Sequence, residues 1–347
     1  MIQHITLTIV LICTHQTVSA SLTITFNPLQ VCICPPIFST SGRLFGGSTC
    51  CTPSTPIIRQ AVVLLGGIEV INSDGTGGKT ETFSCNVTVS DTEPRGGLDA
   101  AVLNDQLFYC GGAYIGVDFI TKECYRNDKG NWLTVESMTE ERIFHSMTTV
   151  GSLILVMGGF STMEFRASVE AFDGLRWIKL PYKLSSPRAE HCVVPISSTE
   201  VVVIGGSYSE RPDLIVEKYN IYTGLVSTIP SKSPETKGHA CALKDKDIYI
   251  SGGFQFDDGI GQSFSSVQVL NIETLQWRTI PSMNFKRVGH TMENLNGVIT
   301  VFGGRNGFSS GDSAQKRTLE KFDGSKWTLE QMQFEHLDHA SALVPCD

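Results

Sequence analysis

Six Gly-Gly doublets recur along this chain at nearly constant spacing, and that regularity leaves few folds open to it. They are Gly66-Gly67, Gly111-Gly112, Gly158-Gly159, Gly205-Gly206, Gly252-Gly253 and Gly303-Gly304, with first glycines 45, 47, 47, 47 and 51 residues apart. Each doublet closes a short apolar run: VVLLGG, LFYCGG, LILVMGG, VVVIGG, IYISGG and ITVFGG. A fixed period near 50 is the mark of a propeller blade, in which each repeat supplies one four-stranded unit. The expected fold is therefore all-β, with six four-stranded antiparallel blades.

Other parts of the unit repeat with the glycines. Downstream of four doublets comes a tryptophan: Trp132, Trp177, Trp277 and Trp327. The fourth unit has Val226 there, in YNIYTGLVSTIP, which otherwise matches LNIETLQWRTIP of the fifth. Ahead of the tryptophan runs an alternating segment, SVEAF, LIVEKY, SVQVL or TLEKF, with the period of two that a half-buried strand requires. Asp173-Gly174 and Asp323-Gly324 read as two-residue hairpin turns. Upstream of most doublets stands a basic-x-x-His element, Arg142 to His145, Arg188 to His191 and Arg287 to His290, with His239 and His339 in the same slot. The doublets imply backbone conformations that a Cβ would oppose and room for a neighbouring group to approach. The tryptophan one strand away is the expected filler of that space.

Gly-Gly followed by an aromatic and then Trp resembles the Kelch repeat, and the resemblance covers roughly residues 61–344. The Trp-Asp type of propeller is excluded, because no tryptophan here precedes an aspartate. Ring closure is also readable. His339-Ala340-Ser341-Ala342-Leu343-Val344 matches the first strand of a unit, and no such strand precedes Ala61–Leu65. The C-terminal strand is thus expected to complete the first blade and remove an open sheet edge.

Three segments are expected: a signal peptide over 1–20, a Cys-containing N-terminal segment over 21–56, and the six-bladed propeller over 57–347. Ile5–Cys13 is a short apolar core and Val18-Ser19-Ala20 a small-residue cleavage site, although the leading Met-Ile-Gln-His carries no Lys or Arg. Nine apolar residues are too few to span a bilayer, so no membrane span is expected. Of eleven cysteines, Cys13 lies in the leader and ten remain, an even number. Asn86-Val87-Thr88 is a glycosylation sequon. Together these features point to a secreted, extracellular, disulfide-permissive setting. Cys192 and Cys241 fall at the starts of inner strands in neighbouring units, where a bridge and two buried thiols are both open. With 27 Lys plus Arg against 35 Asp plus Glu, the chain carries a net charge of −8, which argues against a nucleic-acid partner.

Strands a to d of a blade run from centre to rim, so the b–c and d–a connections share one face of the disc. There the b–c loops are long and differ between units, whereas the opposite face carries tight turns such as Asn104-Asp105 and Asn296-Gly297. Variable loops on a rigid scaffold are where binding tends to sit. Phe254, Phe256 and Phe308 are the candidate apolar contacts. Arg95, Arg142, Arg188, Lys237 and Arg287 add cations to the same face. In the family, arginines at the matching position line the cavity and grip acidic peptides, so the resemblance implies a positive ring for an anionic group of an extracellular protein or glycan. The competing reading makes Arg-x-x-His a packing element.

No nucleophile elbow, phosphate loop or Cys-x-x-Cys is present, and five equivalent histidines would be spread too far around a ring to share one metal. No cofactor or metal is expected. Some secreted relatives are copper oxidases or sugar mutarotases, but no residue set carries over to either. The expected function is a non-enzymatic, secreted binding scaffold for a protein or glycan. The alternatives are an extracellular carbohydrate-active enzyme with its site in the central pocket, favoured by converging acidic and basic residues, and a structural matrix component.

Overall fold

A computed structural model of the chain describes residues 4–13, 16–25, 59–67, 78–85, 87–114, 119–208, 216–230, 236–257, 260–307 and 315–346. The chain divides into two compact units, Met1–Ile57 and Ile58–Asp347. In the first, His4–Cys13 and Gln16–Thr25 form an antiparallel hairpin, with Val10 opposite Ser19. The described hairpin thus spans the expected leader and the five residues after it. Among the described residues, no helix is long and apolar enough to cross a membrane.

The second unit is the propeller. Blade 2 is built from Asp99–Leu103, Gln106–Cys110, Cys124–Asp128 and Asn131–Val135. Blade 3 comprises Ser146–Val150, Leu153–Met157, Val169–Phe172 and Trp177–Lys179. Cys192–Pro195, Glu200–Ile204, Val216–Asn220 and Gly224–Ile229 form blade 4. Blade 5 holds Ala240–Lys244, Asp247–Ser251, Val267–Asn271 and Trp277–Ile280. Thr291–Leu295, Val298–Phe302, Thr318–Phe322 and Trp327–Gln331 form blade 6. Each is a four-stranded antiparallel sheet in chain order.

Blade 1 closes the ring as its sequence implies. Ala340–Pro345 is its inner strand and pairs with Gln60–Leu65, with Leu65 opposite Ala340 and Ala61 opposite Val344. Glu81–Phe83 is the third strand. Three strands are defined here where the repeat implies four. The outer segment instead runs alongside through Thr92, whose N–H donates to Gly78 O at 3.1 Å. Ala61–Leu65 are wholly buried, and a Cys85–Cys346 disulfide fastens the closing strand.

The doublets occupy left-handed backbone, with φ of 59–67° at the first glycine and 84–103° at the second. What fills the space beside them corrects the sequence-based expectation. A Cβ on Gly158 would lie 2.7 Å from the imidazole of His191, and one on Gly159 would lie 2.9 Å from Cβ of His145. The same pattern holds for Gly205 against His239 and Gly252 against His290. The fillers are thus histidines from the starts of inner strands, the next blade's beside the first glycine and the same blade's beside the second. The tryptophans serve as ties further out. The indole N–H of Trp177 donates to Glu136 O, that of Trp277 to Pro230 O and that of Trp327 to Pro281 O, each at 2.8–2.9 Å. In every case the acceptor belongs to the connection leading into that blade.

Inner strands of neighbouring blades belong to separate sheets, and they are joined instead by a belt of backbone hydrogen bonds. Gly97, Phe144, Glu190, Gly238, Gly289 and Asp338 each sit one residue before an inner-strand histidine or its equivalent, Leu98. All six have φ between 48° and 65°. The N–H of each donates to the carbonyl of its counterpart one blade back, Gly97 to Asp338, Phe144 to Gly97 and so on, at 2.8–3.0 Å until the circle closes. Below the belt, side chains link the strands: Met147 N–H to Asp99, Ser146 Oγ to His191 O, Asn294 to Leu243 O and Ser341 Oγ to Glu293. Between blades 4 and 5 the link is covalent, the Cys192–Cys241 disulfide. Of the two readings of that pair, the bridge is the one found. Cys110–Cys124 joins two strands within blade 2.

Two glycines with nearly the same backbone separate conformation from packing. Gly159 has φ +97° and is crowded by His145, whereas Gly324 has φ +101° with nothing within 4 Å of a Cβ. Gly324→Ala should cost about 1–3 kcal/mol, the backbone strain alone. Gly159→Ala should cost that plus a further ~1–3 kcal/mol of overpacking. Urea denaturation of the two variants measures the difference, and equal losses would show that the His145 contact is unimportant.

Candidate functional site

The five cations expected to line a wet cavity do not do so. Arg95, Arg142, Arg188 and Arg287 are all fully buried. Arg142 shows why. Its Nε and Nη2 donate to Glu170 at 3.3 and 2.9 Å, and its Nη1 donates to the carbonyl of Gly158 at 2.5 Å. Glu170, also wholly buried, accepts in turn from the N–H of Thr139. Arg287 repeats the arrangement with Glu320 and Gly303 O, and Glu320 accepts from the N–H of Asn284. Arg188 pairs with Glu217 at 2.9 Å and reaches Gly205 O. The arginine therefore ties three parts of one blade together: the incoming connection, the glycine doublet and the third strand. A hydrogen-bonded ion pair is the condition on which a charge is buried without a large desolvation penalty.

The slot varies in a correlated way. In blade 1 it holds buried His336, 3.2 Å from Glu81. In blade 2, Arg95 is held by Glu93, Glu123, Tyr114 and Tyr125. In blade 5 the slot holds buried Thr236, whose carbonyl accepts from Gly206 N–H as the arginine carbonyls accept from the other doublets, and the third-strand position carries Gln268 instead of Glu. Lys237 is partly exposed and lies 3.5 Å from Glu190. Glutamates in VEAF, VEKY and LEKF, and a glutamine in the unit whose slot holds an uncharged threonine, are the sequence signal for this pairing.

The remaining candidates fare variously. Phe254 is corrected: it is buried, packed over Gly261 in a hairpin formed by Phe254–Asp257 and Ile260–Ser263. The side chain of Phe256, Phe308 and the Asn86 sequon lie outside the described residues. The histidines are packing elements, as the competing reading held. His239 bonds to Ile204 O, His290 to Ser251 and His339 to Thr291, in each case the preceding blade. Burial holds all five imidazoles neutral, with His145 pushed down to about 3 and His239 to about 4.

A cavity of about 490 Å³ runs along the axis between the inner strands. No arginine or lysine lines it. Its carboxyls are Asp99, Glu190, Glu293 and Asp338. Burial pushes Asp99 and Glu293 up to about 7 and Asp338 up to about 6. Asp99 is occupied by the N–H groups of Met147 and Ala100, and Glu293 by Ser341. These two carboxyls thus join blades to one another. Beside these carboxyls the cavity is lined by the five buried, neutral imidazoles.

The b–c/d–a face is ordered by its own pairing. Each incoming connection hydrogen-bonds to the b–c loop of the same blade: Arg95–Gly96 with Ala113–Tyr114, Ile143 with Phe160, Arg188–Ala189 with Ser207–Tyr208, Lys237 with Phe254 and Val288 with Arg305. In blade 3 the loop is further closed by Ser161 N–H to Glu164 O and Arg166 N–H to Gly159 O, both under 3 Å, and by an edge-on Phe160–Phe165 contact. At its tip Met163 is 92% exposed, and in blade 2 Phe119 is 60% exposed. Met163 lies in one of the long b–c loops that the sequence marks for binding, but neither it nor Phe119 is among the apolar contacts chosen from sequence, because spacing does not show which loop side chains fold inward.

Comparison with known proteins agrees with this architecture. Residues 235–284 match the Kelch motif. Kelch-like protein 26 of Danio rerio is 28% identical over 184 residues, covering 51% of this chain and 30% of that protein. Alpha-scruin of Limulus polyphemus is 24% identical over 232 residues, 63% of this chain and 25% of its own length. An F-box/kelch-repeat protein of Arabidopsis thaliana is 38% identical over 74 residues, 21% of this chain and 19% of its own. The chain thus spans less than a third of the length of these relatives. With six glycine-doublet blades and these matches, the chain is similar to the Kelch-repeat propellers.

Breaking a buried pair leaves an uncompensated charge, so Arg142→Ala should lose about 3–5 kcal/mol of stability. Chemical denaturation checks this, and an unchanged midpoint would return Arg142 to the surface. The imidazoles also set an acid limb. Their folded pKa values lie below the unfolded value of about 6.5, so their contribution is complete above it and is lost as pH falls towards 4. Asp99, Glu293 and Asp338 act oppositely: raised in the fold, they stabilise below about 4 and lose that as pH rises through 6–7. Near pH 5 the unfolded chain then holds five extra imidazole protons and the folded one three extra carboxyl protons, so stability should rise with pH. Asp99→Asn with Glu293→Gln removes most of the opposing set and should steepen the acid limb. A flatter melting-temperature profile in that double variant would contradict the assignment.

Proposed function

We propose that the protein is a secreted scaffold that binds a protein partner through the b–c/d–a face of its propeller, without catalysis. The observation that carries this reading is the blade 3 loop. A tightly bonded turn holds a large apolar side chain, Met163, almost wholly in water, beside a neighbouring blade whose loop does the same with Phe119. A rigid loop that exposes an apolar side chain binds with little ordering entropy, and methionines and aromatics are favoured at interfaces. The Kelch-repeat likeness supports a binding role. A leader-like apolar core, the even cysteine count left after it and three disulfides support an extracellular setting.

Expression in a secretory host tests both halves. Medium protein should begin at Ser21, and an intact intracellular chain beginning at Met1 would remove the secreted part of the reading. Proximity labelling with the secreted protein as bait should then capture extracellular proteins. Met163→Glu should deplete that set with an unchanged melting temperature. Leu175→Glu, on an exposed c–d turn of the opposite face, should not. The reverse pattern would assign binding to the other face.

A further inference from the structure

Burial of the arginines decides which charge this face shows to solvent. Around Arg95, Arg142 and Arg166 gather six carboxylates: Glu93 and Glu123 on the first, Glu140 and Glu170 on the second, Glu141 and Glu164, with Glu140 again, on the third. Lys179 meets Glu140, and Lys122 is exposed next to Glu123. Six acids against five bases leave a single net negative charge, but the orientation matters more than the sum. The guanidinium side chains are 0, 0 and 14% exposed, whereas Glu93, Glu123, Glu141 and Glu164 are 39–68% exposed. Cations lie inside and carboxylates outside.

The acidic groups and the apolar tips belong to one continuous surface. The blade 2 loop is hydrogen-bonded to the connection entering blade 3, where Arg142 N–H donates to Thr121 O at 3.2 Å. The next residue, Ile143, is paired with Phe160 of the Met163 loop. Phe119 and Met163 therefore stand on successive, mutually bonded segments, the first in the blade of Glu93 and Glu123 and the second in that of Glu141 and Glu164.

We propose that the blade 2–blade 3 sector of this face docks a cationic segment of a protein partner, one that carries an apolar residue among arginines or lysines. The apolar residue covers Met163 and Phe119, and the flanking cations meet carboxylates whose second oxygens face solvent. Charge complementarity selects the cationic class: an anionic segment would meet the outward carboxylates, while the guanidiniums that could hold it are already bonded beneath them. This inference rests on the binding-face reading above and reverses the anionic partner expected from the sequence.

The test uses the secreted protein and three synthetic peptides, a Leu-Phe core flanked by Arg, by Glu or by Ser, with binding read by fluorescence anisotropy. The Arg-flanked peptide should bind most tightly, and its affinity should fall as salt rises. Met163→Ala should weaken it by about tenfold, the loss of a central apolar contact. Glu164→Lys should weaken the Arg-flanked peptide and strengthen the Glu-flanked one, with melting temperatures showing that both variants are folded. If the Glu- or Ser-flanked peptide binds as well as the Arg-flanked one and Met163→Ala still weakens it, the cationic assignment fails and the face stands. If no peptide binds, or binding survives Met163→Ala and is lost in Leu175→Glu, the face fails with it.

Discussion

Six sheets arranged about an axis have a cohesion problem that no single sheet has. Within a blade the strands bond to one another, but inner strands of adjacent blades lie in separate sheets and do not pair. The structure answers with the belt of six N–H to C=O bonds that passes once around the axis, two residues before each inner strand. Each member must adopt left-handed backbone to turn its N–H back towards the preceding blade, and three of the six are glycines. At a spacing of about 5 Å per bonded step, as between hydrogen-bonded strands, a closed circle of six has a radius of only ~5 Å. The six belt residues, Gly97, Phe144, Glu190, Gly238, Gly289 and Asp338, also line the axial cavity.

The other recurrent elements serve the same end at successive radii. The histidine beside the belt packs against the first doublet glycine of the blade before it and the second of its own. The tryptophan at the outer strand bonds to the connection that enters its blade. The arginine between them fastens that connection to the doublet carbonyl and to the third strand. Where one device is absent another stands in: the channel-side disulfide joins blades 4 and 5, and blade 5 is the one with Thr236 and Gln268 in place of Arg and Glu. These devices are all local to one blade or one blade boundary, which is how a repeat of about 50 residues can be copied around a ring.

That locality explains what the sequence made legible. Glycine doublets, alternating strands and the fragment at Ala340–Val344 are periodic, so the blade count and the closure could be read directly. Pairings between markers were harder. Arg142 and Glu170 stand 28 residues apart, and a basic ring read on its own looks like a binding feature. Only the matching of arginine with glutamate, histidine with glutamate, and uncharged threonine with glutamine shows that the cation has its partner inside the blade. The same limit applies to the loop aromatics. Phe254 and Met163 occupy corresponding loops, but a glycine in the returning strand lets Phe254 fold under its hairpin, while the short blade 3 turn leaves Met163 nowhere to go but outward.

The surface charge of the face then follows from the requirements of the interior. A guanidinium can be buried only if carboxylates and carbonyls take up its donors. Three guanidiniums in blades 2 and 3 are met by more carboxylates than they can neutralise. Some of these, such as Glu170, are buried with their arginine, but others come from the rim of the connecting loops, and their remaining oxygens face water. A sequence position that reads as a cation thus produces an acidic exterior, because the fold covers the positive group with the negative ones that stabilise it. The arginines act on this outer layer at one remove, by fixing where the glutamates are held.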